Sequence, residues 1–187
     1  MVYTGNIVFE SENRKRKDRY TLKNIVLIGM PGAGKSTVGV VIAKKLGYRF
    51  MDSDLVIQER TGKMLHEIIE EKGTEGFLTV EGEINASLCC DRTVIATGGS
   101  VVYSAKAMEH LKEIGRVVYL QLSCEAVAER LGDLQERGVA LKEGQTLRDL
   151  YEERTPLYER YADIILNCEG KMIREVVAEL AARLDGR

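Results

Sequence analysis

Tryptophan is absent from this chain and proline occurs only twice in 187 residues, which favours regular helices and strands over loops. Cysteine is sparse as well. Cys89, Cys90, Cys124 and Cys168 show neither C-x-x-C spacing nor histidine partners, so they read as core residues or free thiols of a reducing cytoplasm. His66 and His110 fall on helical patterns and read as surface or packing residues, not metal ligands. No apolar run approaches the ~18 residues that a membrane span needs. The N-terminal segment lacks the apolar stretch of a secretory leader. A net charge of −2 argues against a basic nucleic-acid surface. These absences set the expectation of a cytoplasmic monomer without membrane or nucleic-acid partners.

What is present is an alternation. From Asn24 onward, apolar runs at 25–29, 48–52, 93–97, 117–122 and 162–167 read as strands. Their continuous apolar character suits a parallel sheet covered on both faces. Helical patterns fill the intervals at 36–46, 54–60, 65–72, 74–89, 104–114, 124–131, 146–161 and 171–184. Gly47, Gly62, Gly73 and Gly115 punctuate them as turn or cap residues. Residues 1–22, with the basic run Asn13–Arg19, read as an appendage to one domain over 23–187. The polar stretch at about 132–145 reads as a mobile segment.

One stretch carries chemistry unaided. Asn24–Thr37 reads NIVLIGMPGAGKST, a buried strand, a glycine-rich turn and a helix start that match G-x-x-x-x-G-K-[ST]. Glycines let successive backbone N–H groups point at phosphate oxygens, and the positive end of the following helix faces the same anion. The motif makes Gly32, Ala33, Gly34, Lys35, Ser36 and Thr37 a nucleotide-binding set. Lys35, expected as a surface-loop cation, would reach the β/γ-phosphates, and the Ser36 hydroxyl would ligate Mg²⁺. In an open parallel sheet, ligands gather at the carboxyl ends of strands. Asp52 and Asp54 fall at one such end, where they could hold hydrated metal and orient a hydroxyl, or simply cap a helix. Gly98 and Gly99 fall at another, where a plain turn is the simpler reading.

Taken in order, GMPGAGKST, Phe50–Asp54 (FMDSD), Glu59–Lys63 (ERTGK), Val94–Ser100 (VIATGGS), Val117–Leu120 (VVYL) and Arg154–Asp163 (RTPLYERYAD) resemble the shikimate kinases. Arg130 and Arg137 belong to the same resemblance, which runs from about Asn24 to the end of the chain. It implies a three-layer α/β/α P-loop kinase fold, with a five-stranded parallel sheet in order 2-3-1-4-5 and a lid. It also implies transfer of the ATP γ-phosphate to a ring hydroxyl of shikimate, with Mg²⁺ held by Ser36 and Asp52. By position, Asp54 would face the acceptor hydroxyl, and Gly98, Gly99 and Arg154 would bind the acceptor, Arg154 through its carboxylate. Arg130 would lie near the adenine, and Arg137 would reach the phosphates from the lid.

Departures from the family pattern cluster on the acceptor and lid side. Where the family shows G-E-x-x-F-R-x-x-E, this chain has Gly73, Thr74, Phe77, Leu78 and Glu81, so leucine replaces an arginine of the acceptor site. Ser100 replaces the third glycine of GGG, and Arg137-Gly138-Val139-Ala140 replaces R-P-L-L. Leucine supplies none of the planar donors that an arginine offers a carboxylate. Three functions therefore stay open: a shikimate kinase, a P-loop kinase of another hydroxy acid or polyol, and a nucleotide- or metabolite-binding regulator. The intact Lys35, Ser36, Asp52 and Asp54 favour a kinase.

Overall fold

The computed structural model describes residues 24–131 and 144–185. The proposed appendage, Arg137 and nearly all of the proposed lid lie outside them. Five parallel strands form one sheet in the order β2-β3-β1-β4-β5. They are β1 (Asn24–Ile28), β2 (Arg49–Asp52), β3 (Thr93–Ala96), β4 (Arg116–Gln121) and β5 (Ile164–Asn167). The described helices are α1 (Lys35–Leu46), α2 (Ser53–Thr61), α3 (Leu65–Asn85), α4 (Ala105–Ile114), α5 (Cys124–Leu131), α6 (Leu147–Tyr161) and α7 (Ile173–Leu184). A 3₁₀ turn at Val101–Tyr103, not expected from the sequence, precedes α4.

Every residue of β1 and β3 is buried, so helices cover both faces of the sheet there. The edges differ from that expectation. In β5 burial alternates, leaving Ile165 39% exposed, and β2 begins with an exposed Arg49. An edge strand has a neighbour on one side only, and helices extend less completely over it.

The central register brings the site together. Leu27 pairs with Ala96 and Val118, and Met51 pairs with Ile95, so β1, β2 and β3 end side by side. Buried Asn24 pins the opposite end, donating from Nδ2 to the Cys90 and Ile114 carbonyls while its Oδ1 accepts from the Thr93 amide.

α3 holds both of the helices expected at 65–72 and 74–89, which are parted at Gly73 as the sequence suggested, where a non-helical φ of 69° and ψ of 174° suit glycine. It also stops at Asn85, because the Ser87 hydroxyl and amide both turn back to the Ile84 carbonyl. A satellite apolar cluster of Ile57, Ile68 and Phe77 lies apart from the main core, with Leu65, Ile69, Leu78, Val80 and Ile84 packed on it.

Candidate active site

The turn between β1 and α1 is shaped by glycines where nothing else fits. Gly32 has φ +78°, and a Cβ there would stand 3.0 Å from the Leu131 side chain. Gly34 caps α1 in a left-handed conformation without a side-chain hydrogen bond, and the first turn of α1 carries no acidic residue. The amides at this helix start are thus left to an anion. Lys35 is only 9% exposed, contrary to the surface position expected for it. Its ammonium donates to the Gly29 carbonyl at 2.9 Å and the Met30 carbonyl at 3.0 Å. Burial brings its pKa down to about 8, with nearby Asp54 opposing the shift.

At the end of β2, Asp52 caps a helix and also adjoins the phosphate loop. Its Oδ1 accepts from the Asp54 amide at 3.1 Å, capping α2, and its Oδ2 accepts from the Ser36 hydroxyl at 2.7 Å. Two hard oxygen donors from different elements therefore adjoin beside the loop. Among the described residues no group of three or more His, Cys, Asp or Glu side chains could hold a metal ion. A two-oxygen site fits Mg²⁺, which keeps several waters and takes further ligands from substrate phosphates.

A cavity of about 380 Å³ opens from the loop. Lys35 and Arg154 line it as cations, Asp54 and Glu81 as acids, and Gly98, Gly99 and Ser100 as one wall. Gly98 and Gly99 are more than a plain turn. A Cβ on Gly98 would collide with Glu81 Oε1 and lie 3.0 Å from Asp54 Oδ1, whereas one on Gly99 would lie 3.0 Å from Arg154 Nη1. Only bare backbone lets both acids and the guanidinium reach the same wall. The Ser53 hydroxyl accepts from the Gly98 amide, and the Tyr158 hydroxyl donates to the Gly99 carbonyl at 2.6 Å.

Asp54 Oδ1 and Glu81 Oε1 are both buried and find no hydrogen-bond partner in the protein. Burial and then the Asp52 charge push Asp54 up to about 6. Burial pushes Glu81 up to about 7, with the Ser100 hydroxyl opposing and Asp54 reinforcing the rise. Orphaned acid oxygens beside a buried guanidinium suit a ligand that carries both hydroxyl and carboxylate.

A second cavity, of about 420 Å³, shares Gly34 and Thr37 with the first and is lined by Ala33, Arg130, Cys168 and Lys171. The loop glycines, Ala33, Thr37 and Arg130 are thus brought together as the sequence suggested. Leu78 is not. It packs against the Ile57–Ile68–Phe77 cluster and does not line the cavity. Sequence reasoning missed Glu81 as a site residue, although an acid four residues after Phe77 on the buried stripe of α3 was a usable signal. Tyr103, which accepts from Arg154 Nε at 3.2 Å, gave no sequence signal.

The fold and these residues define a P-loop phosphotransferase acting on a hydroxyl group. The model of the family described as Shikimate kinase matches residues 31–185. A shikimate kinase of Persephonella marina is 37% identical over 164 residues, covering 87% of this chain and 99% of that protein. One from Pseudomonas paraeruginosa is 40% identical, covering 86% and 95%. The solved shikimate kinase of Acinetobacter baumannii in complex with shikimate superposes with a TM-score of 0.80 at 35% identity, covering 90% of this chain and 96% of that one. The Aquifex aeolicus shikimate kinase gives 0.71 at 32% identity, covering 87% and 96%. The chain belongs to the shikimate kinase family.

Proposed function

We propose that this chain transfers the ATP γ-phosphate to a ring hydroxyl of shikimate. The observation that carries this reading is the convergence of Asp54 and Arg154 on one cavity that opens from the phosphate loop. The loop amides from Gly32 to Thr37 and the Lys35 ammonium bind and orient the phosphates. Ser36 and Asp52 would hold Mg²⁺, which would supply positive charge to neutralise the phosphate oxygens. Asp54 orients the acceptor hydroxyl and takes its proton. With a pKa of about 6 it is largely ionised at neutral pH and able to do so. Arg154 holds the acceptor carboxylate against the Gly98–Gly99 wall, and Arg130 lies on the adenine side. Arg137, outside the described residues, is assigned to the phosphates by family pattern.

A different hydroxy acid as acceptor is the second reading, favoured by one observation. Arg154 is the one arginine lining the cavity among the described residues, since position 78 is leucine. We also propose an N-terminal appendage at 1–22, a domain over 23–187 with its lid at about 132–145, and a cytoplasmic monomer. The four cysteines are free, as thiols of a reducing compartment would be, which supports the cytoplasmic part of the reading. No described helix is long and apolar enough to cross a membrane.

Complementation tests the function. Expression in a bacterium lacking its own shikimate kinases should restore growth without aromatic supplements. Failure of a well-expressed, folded protein to do so would favour the second reading.

A further inference from the structure

Arg154 is an unusual side chain to bury, and it is 1% exposed. Its guanidinium does not simply sit in a polar pocket. Nε donates to the Tyr103 hydroxyl at 3.2 Å, and Cζ lies over the Tyr103 ring at 5.1 Å from its centroid. One tyrosine thus restrains the group in two independent ways. The ring face limits tilt of the guanidinium plane, and the hydroxyl limits rotation within that plane. Tyr103 is itself fixed by the 3₁₀ turn Val101–Tyr103, which follows directly from the Gly98–Ser100 wall. Its phenol is raised above the usual range, first by burial, with Arg154 opposing and Glu153 reinforcing the rise. It therefore stays neutral and available as an acceptor at physiological pH.

With Nε directed at Tyr103, the nitrogen that reaches the Gly99 wall is Nη1. A planar guanidinium recognises a carboxylate with two parallel N–H bonds only when its plane and rotation are set. An arginine fixed before binding loses less conformational freedom on capturing its ligand than a mobile one. Here that matters more than in a site with two arginines, because position 78 is leucine and does not line the cavity.

We infer that Tyr103 is a positioning residue that aims Arg154 at the acceptor carboxylate and so sets affinity for carboxylate-bearing acceptors. The inference rests on the proposed reading of the cavity as the site for shikimate. Tyr103 meets Arg154 and does not itself line the cavity, so its effect belongs to acceptor binding and not to phosphoryl transfer.

Two variants separate the restraints. Tyr103→Phe keeps the ring and removes the hydroxyl, and Tyr103→Leu removes both. At saturating MgATP, Tyr103→Phe should raise the KM for shikimate about three- to tenfold. Tyr103→Leu should raise it further, by about ten- to fiftyfold in total. These losses should fall on acceptor KM and not on kcat or the KM for ATP. They should vanish in the inhibition constant of shikimate carboxamide, which keeps the ring and lacks the charge. An unchanged KM in Tyr103→Leu, or equal losses for carboxylate and carboxamide, would overturn the inference.

Hydrogen exchange at the Arg154 Nε–H, followed by nuclear magnetic resonance without any acceptor, tests the geometry alone. Slow exchange in wild type and fast exchange in Tyr103→Phe are expected, and equal rates would overturn the positioning role. Wild-type protein that turns over no shikimate but shows this exchange difference would refute the acceptor and leave the positioning intact.

Discussion

The Ser36 hydroxyl donates to Asp52 Oδ2 at 2.7 Å, which joins the first turn of α1 to the end of β2 across sixteen residues of sequence. The other Asp52 oxygen caps α2 through the Asp54 amide. Asparagine also caps helices well but carries no charge. Asp52→Asn should therefore unfold within a few degrees of wild type while requiring several-fold more Mg²⁺ for half-maximal turnover. A Mg²⁺ titration beside thermal melts checks this. A large fall in melting temperature with unchanged Mg²⁺ demand would reduce Asp52 to a cap.

Asp54 stands two residues further on, with one buried oxygen facing the cavity unpartnered. Asp54→Asn keeps the shape but cannot accept the proton of the acceptor hydroxyl. Turnover should fall by about 10²- to 10⁴-fold, the usual range for a positioned base. Nucleotide affinity measured by calorimetry should change much less. Lost ATP binding with surviving turnover would move Asp54 to the nucleotide side.

Glu81 makes the fold pH-sensitive. Its ordinary value of 4.5 rises to about 7 in the folded chain. The folded state then binds more protons than the unfolded state between those values. The stability is fully present below pH 4.5 and is lost as pH rises through about 7. The difference is worth on the order of 3 kcal/mol. Glu81→Gln resembles the protonated form, so its melting temperature should decline less between pH 5 and 8 and exceed that of wild type at pH 8. Asp54 is shifted in the same direction and keeps part of the slope. Lys35 acts oppositely and at higher pH, because its pKa is lowered to about 8 and its stability is lost as pH falls through that value. Identical pH profiles for wild type and Glu81→Gln would contradict the buried-acid account.

Leu78 lies three residues before Glu81 on α3, a spacing at which helical side chains are neighbours. Leu78→Arg should offer a cation to the orphaned Glu81 oxygen and a second donor to the acceptor site. The KM for shikimate should fall about three- to tenfold, in the range of one added hydrogen bond. Stability at pH 8 should rise as Glu81 is held ionised. Lower stability without a gain in KM would mean that the new guanidinium stays trapped in the Ile57–Ile68–Phe77 cluster, where an unpaired charge is costly.

Much of this was legible in the sequence because it is local. The strand, glycine turn and helix of 24–46 are contiguous, and the chemistry of that turn follows from its own residues. The sheet order 2-3-1-4-5 came from family resemblance, and the structure has it. What sequence could not convey depends on which surfaces meet. Lys35 reads as a loop cation, but the loop folds over it and supplies two carbonyls. Leu78 reads as a binding position by family resemblance, but the bend at Gly73 and the packing of α3 turn it toward an apolar cluster. Tyr103 meets Arg154 across 51 residues, and no local pattern announces such a pair. The edge strands lose their outer cover because they have one neighbour, which composition does not reveal.

The Asp54–Arg154 cavity is proposed to accept shikimate. Purified protein with saturating MgATP, assayed by coupled ADP release across shikimate, shikimate carboxamide and carboxylate-free polyols, tests it most directly. ADP release should depend on shikimate, yield a phosphorylated ring hydroxyl, and weaken sharply when the carboxylate is removed. Absence of shikimate-dependent release, or faster turnover of an acceptor without a carboxylate, would contradict it.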